Sequence, residues 1–202
     1  PEVLGLEDLA ESVGSHRVRL TPHQKLLVLD VPDEHVEHVV STLKENGLDA
    51  RPSPFRRSTI ACTGIEYCKL AIVDTKDTAT ATIDELEQRL GDLSQMKPLS
   101  LHVNGCPNSC ARIQTADIGL KGQLVMDDDG QQVPGFQVHL GGGLASDDRE
   151  VAGMGRTVRG LKVTADDLTD YVERVVRRYE SDKDGSETFA EWAHRADEEA
   201  LR

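Results

Sequence analysis

Four cysteines are the residues of this sequence best able to do chemistry. They fall in two pairs, Cys62-x5-Cys68 and Cys106-x3-Cys110, with 37 residues between the pairs. A cubane iron-sulfur cluster takes one thiolate for each of its four irons, so the count fits. The flanking residues suit a soft metal centre as well. Gly64 and Gly105 would let backbone come close to sulfide, and Pro107 would restrain the turn that carries Cys106. Asn108 and Ser109, enclosed by the second pair, are residues that start helices, and the free N-H groups of a helix start could bond electron-rich sulfurs.

Spacing alone leaves three other readings open. Structural zinc usually has a two-residue spacer in at least one knuckle, and neither pair has one. Two disulfides would need an oxidising compartment that nothing in the sequence indicates. Unligated cysteines are common as single buried residues, less so as two tight pairs flanked by Gly and Pro.

The elements that must position these thiols are legible from apolar spacing. Val3, Leu6, Leu9, Ala10 and Val13 share one face of a short helix that Gly14 can stop. HRVRL (16 to 20) and KLLVLDV (25 to 31) have the pattern of strands, broken by Thr21-Pro22. A second helix runs from about Asp33 to Asn46, with Val36, Val39, Val40 and Leu43 on one face and Gly47 after its end. With a possible edge strand at 48 to 51, the order is αββαβ, a ferredoxin-like plait lacking its first strand. The two prolines of ArgProSerPro (51 to 54) predict a linker, because they resist continuation of helix or strand.

Beyond the linker, a helical pattern extends from about Ile65 to Leu90, followed by a strand at LSLHV (99 to 103) before the second cysteine pair. DIGLKGQLVM (117 to 126) and GFQVHLGG (135 to 142) read as strands around an acidic turn with Gly130. Thr164-Ala165-Asp166-Asp167 predicts a helix start, with Leu168, Val172, Val175, Val176 and Tyr179 on the buried face. Phe189, Trp192 and Ala193 predict a last helix folded back on the domain.

Composition narrows the class. A chain of 202 residues can bury a core without disulfide staples, and 38% hydrophobic content with 3% aromatics predicts a core of Leu, Val, Ile and Ala. No apolar run approaches the roughly 18 residues of a membrane span, and the first residues carry no secretory pattern. A reducing cytoplasm is the default location. A net charge of -13 repels phosphate backbones and anionic membranes, which argues against both as partners. The acidic runs Asp127-Asp128-Asp129, Asp147-Asp148 and Asp197-Glu198-Glu199 read as solvated surface. Pro1 stands where an initiator methionine would, so the sequence reads as a piece of something longer.

Two blocks carry a resemblance. ACTGIEYCKLAIVDTK (61 to 76) and HVNGCPNSCARIQTADIGLKG (102 to 122) closely resemble the signature pairs of the ferredoxin-dependent sulfite and nitrite reductase family. RLTPHQKLLVLDVP (19 to 32) resembles that family's second ferredoxin-like half-domain, and LGGGL (140 to 144) its later glycine-rich strand end. The resemblance covers nearly the whole chain. It implies a truncated ferredoxin-like half-domain (αββαβ) over 1-53. The siroheme/4Fe-4S domain would follow over 54-202, in an α+β or α/β arrangement with a mixed sheet flanked by helices.

The resemblance also implies the chemistry. Cys62, Cys68, Cys106 and Cys110 would hold a 4Fe-4S cluster, with Cys110 shared with the iron of siroheme. Ferredoxin would supply electrons singly for the six-electron reduction of sulfite to sulfide or of nitrite to ammonia. Both substrates stay open. In the family, the Arg and Lys residues that bind the anion lie in a preceding half absent here, so no catalytic residue is assigned. Siroheme is rich in carboxylates, and a chain of charge -13 is a poor host for it. The expectation is that the fragment alone neither retains siroheme firmly nor turns over sulfite, and that the N-terminal half of the same enzyme is a required partner. An apolar face left bare by that half could make the fragment dimerise.

Other residues carry two readings each. Thr63, Asn104 and Asn108 could contact cluster or siroheme or simply satisfy a turn. Lys76 could approach a siroheme carboxylate. Arg17, Arg19 and Gln24 lie on strands that face the cofactor cavity in the family, or are plain surface. His102 reads as structural. Arg156, Arg159 and Lys162 form a basic cluster that could meet an acidic ferredoxin or be ordinary solvated surface. Two rival functions stand beside the reductase: an enzyme like precorrin-3B synthase, which shares fold and cluster, and a non-catalytic module with zinc or no metal.

Overall fold

The computed structural model of the chain describes residues 4–93, 96–145 and 152–202. Val3 and the Asp147-Asp148 run lie outside them. The chain divides into two compact units, Pro1–Pro52 and Ser53–Arg202.

The first unit holds helix α1 (Leu4–Ser12), strands β1 (Val18–Leu20) and β2 (Leu26–Val28), a 3-10 turn (Asp33–His35) and helix α2 (Val36–Glu45). Leu9 and Val13 of the α1 segment pack on Val39, with Val31 and Leu43 at the margin. The strands pair antiparallel, Val18 opposite Val28, and Thr21 Oγ1 accepts from the Lys25 amide at the turn. Buried Ser15 ties the end of α1 to the hairpin by donating to the Leu29 carbonyl at 2.6 Å. Gly47 has φ +76° just past α2, the left-handed conformation a residue without Cβ adopts at least cost. Residues 48 to 51 form no strand. Val18, Leu20, Leu26 and Leu27 of the hairpin are exposed.

The second unit is built on a five-stranded mixed sheet in the order β3-β4-β5-β6-β7: β3 (Thr59–Ala61), β4 (Leu101–Asn104), β5 (Ile118–Met126), β6 (Gln132–Leu140) and β7 (Lys162–Thr164). β3, β4 and β5 run parallel, and β6 and β7 join antiparallel. Helices α3 (Pro54–Ser58), α4 (Lys76–Arg89), α5 (Leu168–Asp182) and α6 (Phe189–Arg195) complete it.

Alternation along the strands puts Leu101, Val103, Ile118, Leu120, Phe136, Val138 and Leu140 into one core with α4, α5 and α6. α5 buries Leu168, Val172, Val175, Val176 and Tyr179, as its spacing predicts. Burial of each such aliphatic side chain stabilises by about 1.5–3 kcal/mol. Thr164 Oγ1 accepts from the Asp167 amide at 3.0 Å at the helix start. Trp192 and Phe189 of α6 pack on Tyr179, with ring centroids 5.7 and 5.3 Å away. A capping box at Thr188 and Glu191 fixes the entry of α6.

Two further expectations change. The prolines at 52 and 54 do not make a bare linker. Pro54 opens α3, where its missing N-H has no intrahelical partner to lose, and Ser53 caps the helix by accepting from the Arg56 amide. Arg56 then clamps α3 to α4 through Glu87 and Asp84. The helix placed from Ile65 begins only at Lys76. Within the stretch before it, Ile65, Leu70 and Ile72 are exposed rather than turned to the core. The Asp74 carboxylate accepts from the amides of Asp77 and Thr78, which starts the helix there.

Candidate metal centre

Both cysteine pairs begin at the C-terminal ends of adjacent parallel strands. Ala61 lies opposite Val103, Cys62 follows β3 directly, and Cys106 comes two residues after β4. In open sheets with parallel strands this end is where ligands bind. The Cys62 amide donates to the Val103 carbonyl at 3.0 Å and carries the ladder one residue further.

The loops are locked to each other through Gly105. Its amide donates to Cys62 Sγ at 3.3 Å, and its carbonyl accepts from the amides of Ile72 and Val73 at 2.7 and 3.3 Å. Cys68 is held in the same loop by its amide bond to the Gly64 carbonyl at 3.0 Å, while its own carbonyl accepts from Ala71. A Cβ on Gly105 would meet the Val73 carbonyl oxygen at 2.8 Å and the Ala71 Cβ and Thr75 Cγ2 at 3.2 Å. One on Gly64, whose φ is +82°, would meet Thr75 Oγ1 at 2.7 Å. Gly105 therefore serves packing of the second loop on the first, and Gly64 packing within the first, and not only approach to sulfide.

The second loop contains no helix at Asn108 and Ser109, contrary to the expectation from their type. Ser109 and Arg112 take left-handed backbone, φ 60° and 56°, which costs a residue with a Cβ about 1–2 kcal/mol. What holds the loop is Asn104, fully buried at the end of β4. Its amide nitrogen donates to the Cys106 carbonyl at 2.6 Å, and its side-chain oxygen accepts from the Ala111 amide at 2.9 Å. One side chain thus pins both ends of the segment that presents Cys110. Underneath, Gly122 of β5 lies so close that a Cβ there would be 2.5 Å from the Gly105 carbonyl carbon and 2.6 Å from the Asn104 oxygen. Gly119 and Gly142 give the same close seating to Ile113 and Gln114.

All four cysteines are free thiols. Cys106 is buried, Cys62 and Cys68 are half-buried, and Cys110 is exposed. No three His, Cys, Asp or Glu side chains among the described residues converge on one ion. A single tetrahedral zinc would need sulfurs about 2.3 Å from a common centre. A four-iron cubane takes one thiolate per iron, and the four thiols here stand in two loops that Gly105 joins, with its amide aimed at Cys62 Sγ.

The sequence pattern described as "Nitrite and sulphite reductase 4Fe-4S domain" matches residues 53–202. This chain belongs to that family. A second pattern, "Nitrite/Sulfite reductase ferredoxin-like half domain", matches residues 1–46. The fold is accordingly a ferredoxin-like half domain and a nitrite and sulphite reductase 4Fe-4S domain, α+β, with a mixed sheet flanked by helices. A relative named sulfite reductase [ferredoxin] 1, from Mycolicibacterium paratuberculosis, is 54% identical over 96% of this chain. The assimilatory ferredoxin-dependent nitrite reductase of Haloferax mediterranei is 30% identical over 95% of it. The solved structure of the Mycobacterium tuberculosis NirA protein superposes with a TM-score of 0.93 at 47% identity, covering all of this chain and 36% of that one. The chain spans about a third of the length of these relatives, 35% of the first and 32% of the second.

Within this member of the family, the other candidates separate by burial. Thr63, Asn108 and Lys76 are exposed, as is Cys110. Asn104 spends both ends of its amide on backbone, so its part is to brace the loop. His102 is buried, with Nδ1 3.2 Å from the Arg112 carbonyl oxygen, as expected of a structural histidine. In the first unit, Arg17 pairs with Asp30 at 2.6 Å, and Arg19 and Gln24 are exposed. Arg156 is not free surface charge: its guanidinium donates to the carbonyls of Ala193, His194 and Ala196 at the end of α6. Arg159 and Lys162 stay exposed. Thr75 and Gly122, which touch both loops or their support, drew no notice from the sequence. Thr75 lies in the DTK of the first block, but only the fold shows what it contacts.

Proposed function

We propose that this chain is the cluster-bearing part of a siroheme-dependent, ferredoxin-linked assimilatory reductase, in which Cys62, Cys68, Cys106 and Cys110 ligate a 4Fe-4S cluster and Cys110 also reaches the siroheme iron. The observation that carries it is the Gly105 bridge, which joins the two cysteine loops at the ends of β3 and β4. The gradient of exposure agrees: Cys106 is shut in as a ligand of the cluster alone would be, whereas Cys110 is open to a second group. Together the two cofactors would relay single electrons and carry out the six-electron reduction at the siroheme iron.

The chain's own residues bind and position. Gly105 N-H directs a hydrogen bond at a ligand sulfur, Asn104 sets the projection of Cys110, and Gly122 seats the backbone between them. Thr63, Asn108 and Lys76 are exposed polar residues of the two cysteine blocks and are assigned to the siroheme side. Sulfite is the favoured substrate, because the relative named a sulfite reductase shares 54% identity and the one named a nitrite reductase 30%. Residues 1–53 form the half-domain and 54–202 the cluster domain. The remaining two thirds of the enzyme supplies anion-binding side chains and the rest of the siroheme pocket, in the cytoplasm. No helix among the described residues is long and apolar enough to cross a membrane.

The test is anaerobic reconstitution with iron and sulfide, followed by addition of siroheme. The chain should develop the absorption of a cubane cluster, hold siroheme weakly by itself, and reduce no sulfite. Strong turnover by these 202 residues, or no cluster at all, would contradict the reading.

A further inference from the structure

We propose that Thr75 is a positioning residue that tunes the cluster through Cys62, an inference resting on the ligand assignment above. Thr75 is fully buried and stands immediately before α4, yet its side chain makes no capping bond to that helix. Asp74 performs that task. The Thr75 hydroxyl instead donates to the Cys62 carbonyl at 2.9 Å and lies 3.8 Å from Cys62 Sγ. The chain leaves room for it from two sides. Gly64 would place a Cβ 2.7 Å from Thr75 Oγ1, and Gly105 would place one 3.2 Å from Thr75 Cγ2. Both loops thus leave space for the Thr75 side chain, and the hydroxyl is the part of it that can donate to Cys62.

As a thiol, Cys62 donates toward Thr75 Oγ1; as an iron ligand it has no proton and can only accept. A hydroxyl carries one hydrogen on a free rotor, so Thr75 can turn from the carbonyl to the sulfur without moving any heavy atom. The Gly105 amide already points at the same sulfur from the second loop. Donors to cluster sulfurs stabilise the reduced, more negative state, so they raise the reduction potential. The amide is fixed by backbone, which makes the hydroxyl the adjustable donor of the two.

The experiment measures the one-electron midpoint potential of the anaerobically reconstituted chain, by dithionite titration followed by electron paramagnetic resonance, for wild type, Thr75→Val, Thr75→Ala and Thr75→Ser. Val and Ala should each shift the reduction equilibrium about threefold to tenfold toward the oxidised cluster, at most about 59 mV downward for one electron. Ser should keep the wild-type value. If Val crowds the loops and prevents cluster uptake, Ala carries the comparison. A wild-type potential in Ala or Val would overturn the proposal. So would a Ser variant that shifts as far as Val, since packing of the methyl would then be the cause. Absence of a cluster in the wild type would overturn the ligand assignment itself, and this inference with it.

Discussion

The amide of Gly105 donates to Cys62 Sγ across 3.3 Å, joining residues that stand 43 positions apart. Gly105 precedes the first cysteine of the second pair, and Cys62 is the first of the other. With the Ile72 and Val73 amides on the Gly105 carbonyl, that bond makes two loops into one site, and it exists because β3 and β4 pair in parallel with Ala61 opposite Val103. The ends of neighbouring parallel strands lie side by side, so residues just beyond them meet without any long-range closure of their own.

Gly122 should be as necessary to the centre as the ligands' immediate neighbours. An alanine Cβ there would lie 2.5 to 2.7 Å from backbone atoms of Asn104 and Gly105, which belong to a paired strand and its continuation and yield poorly. Gly122→Ala should cost about 1–3 kcal/mol of stability and lower iron content by more than half. Gly130→Ala is the control. Its φ of +77° makes alanine strained, but the Cβ meets open space, so it should cost about 1–2 kcal/mol and leave iron content unchanged. Thermal melts and iron assays on both variants decide.

Asn104→Ala removes both bonds that pin the Cys110 segment and leaves the buried Ala111 amide without its acceptor. The loss should be about 2–3 kcal/mol, read from urea unfolding, together with faster loss of iron to a chelator. An Asn104→Asp variant keeps the acceptor but places a carboxylate against the Cys106 carbonyl, and should be no better.

Arg156 serves α6 by satisfying carbonyls at its C-terminal end. Arg156→Met should destabilise the second unit by about 2 kcal/mol, visible in the fluorescence of Trp192, the one tryptophan in the sequence. A side chain whose purpose was to meet ferredoxin would leave that unfolding curve unchanged and alter only donor affinity.

His139 predicts an acid-side loss of stability. Burial holds its imidazole below the usual histidine pKa, nearby Lys121 adds to the effect, and a hydrogen bond with the Gly155 backbone opposes it. Its Nε2 is buried without a partner. The folded pKa is below the unfolded one, so the stability is present above about 6.5 and is lost as pH falls through the folded value. His139→Gln should flatten the melting temperature across that window. An equally steep profile in the variant would assign the effect to other groups.

Much of this arrangement was legible in the sequence, and the parts that were not share a cause. Helix α5 and the hairpin of β5 and β6 follow from periodic burial, since each presents one continuous apolar face to the core. β3 did not, because Thr59, Ile60 and Ala61 are only three residues and their burial comes from the pairing with β4. The start of α4 falls later than the pattern predicts because residues 65 to 75 form turns, with Ile65, Leu70 and Ile72 exposed, and the helix begins only where Asp74 can cap it. At the site, cysteine type and spacing marked the thiols, and Asn104 stood out within its block although its bracing of its own loop shows only in the fold, whereas Thr75 and Gly122 act through contacts with other segments of the chain. The local pattern puts Gly130 in a turn and Gly122 in a strand, but which backbone Gly122 seats is set by the neighbouring strand's continuation and shows only in the fold.

The central claim is that the four cysteines hold one cubane cluster, and the most direct measurement is iron, zinc and acid-labile sulfide per chain after anaerobic reconstitution, for wild type and Cys110→Ser. The account predicts about four irons and four sulfides in the wild type and loss of the intact cluster in the variant. Zinc near one per chain, or no metal in the wild type, would contradict it.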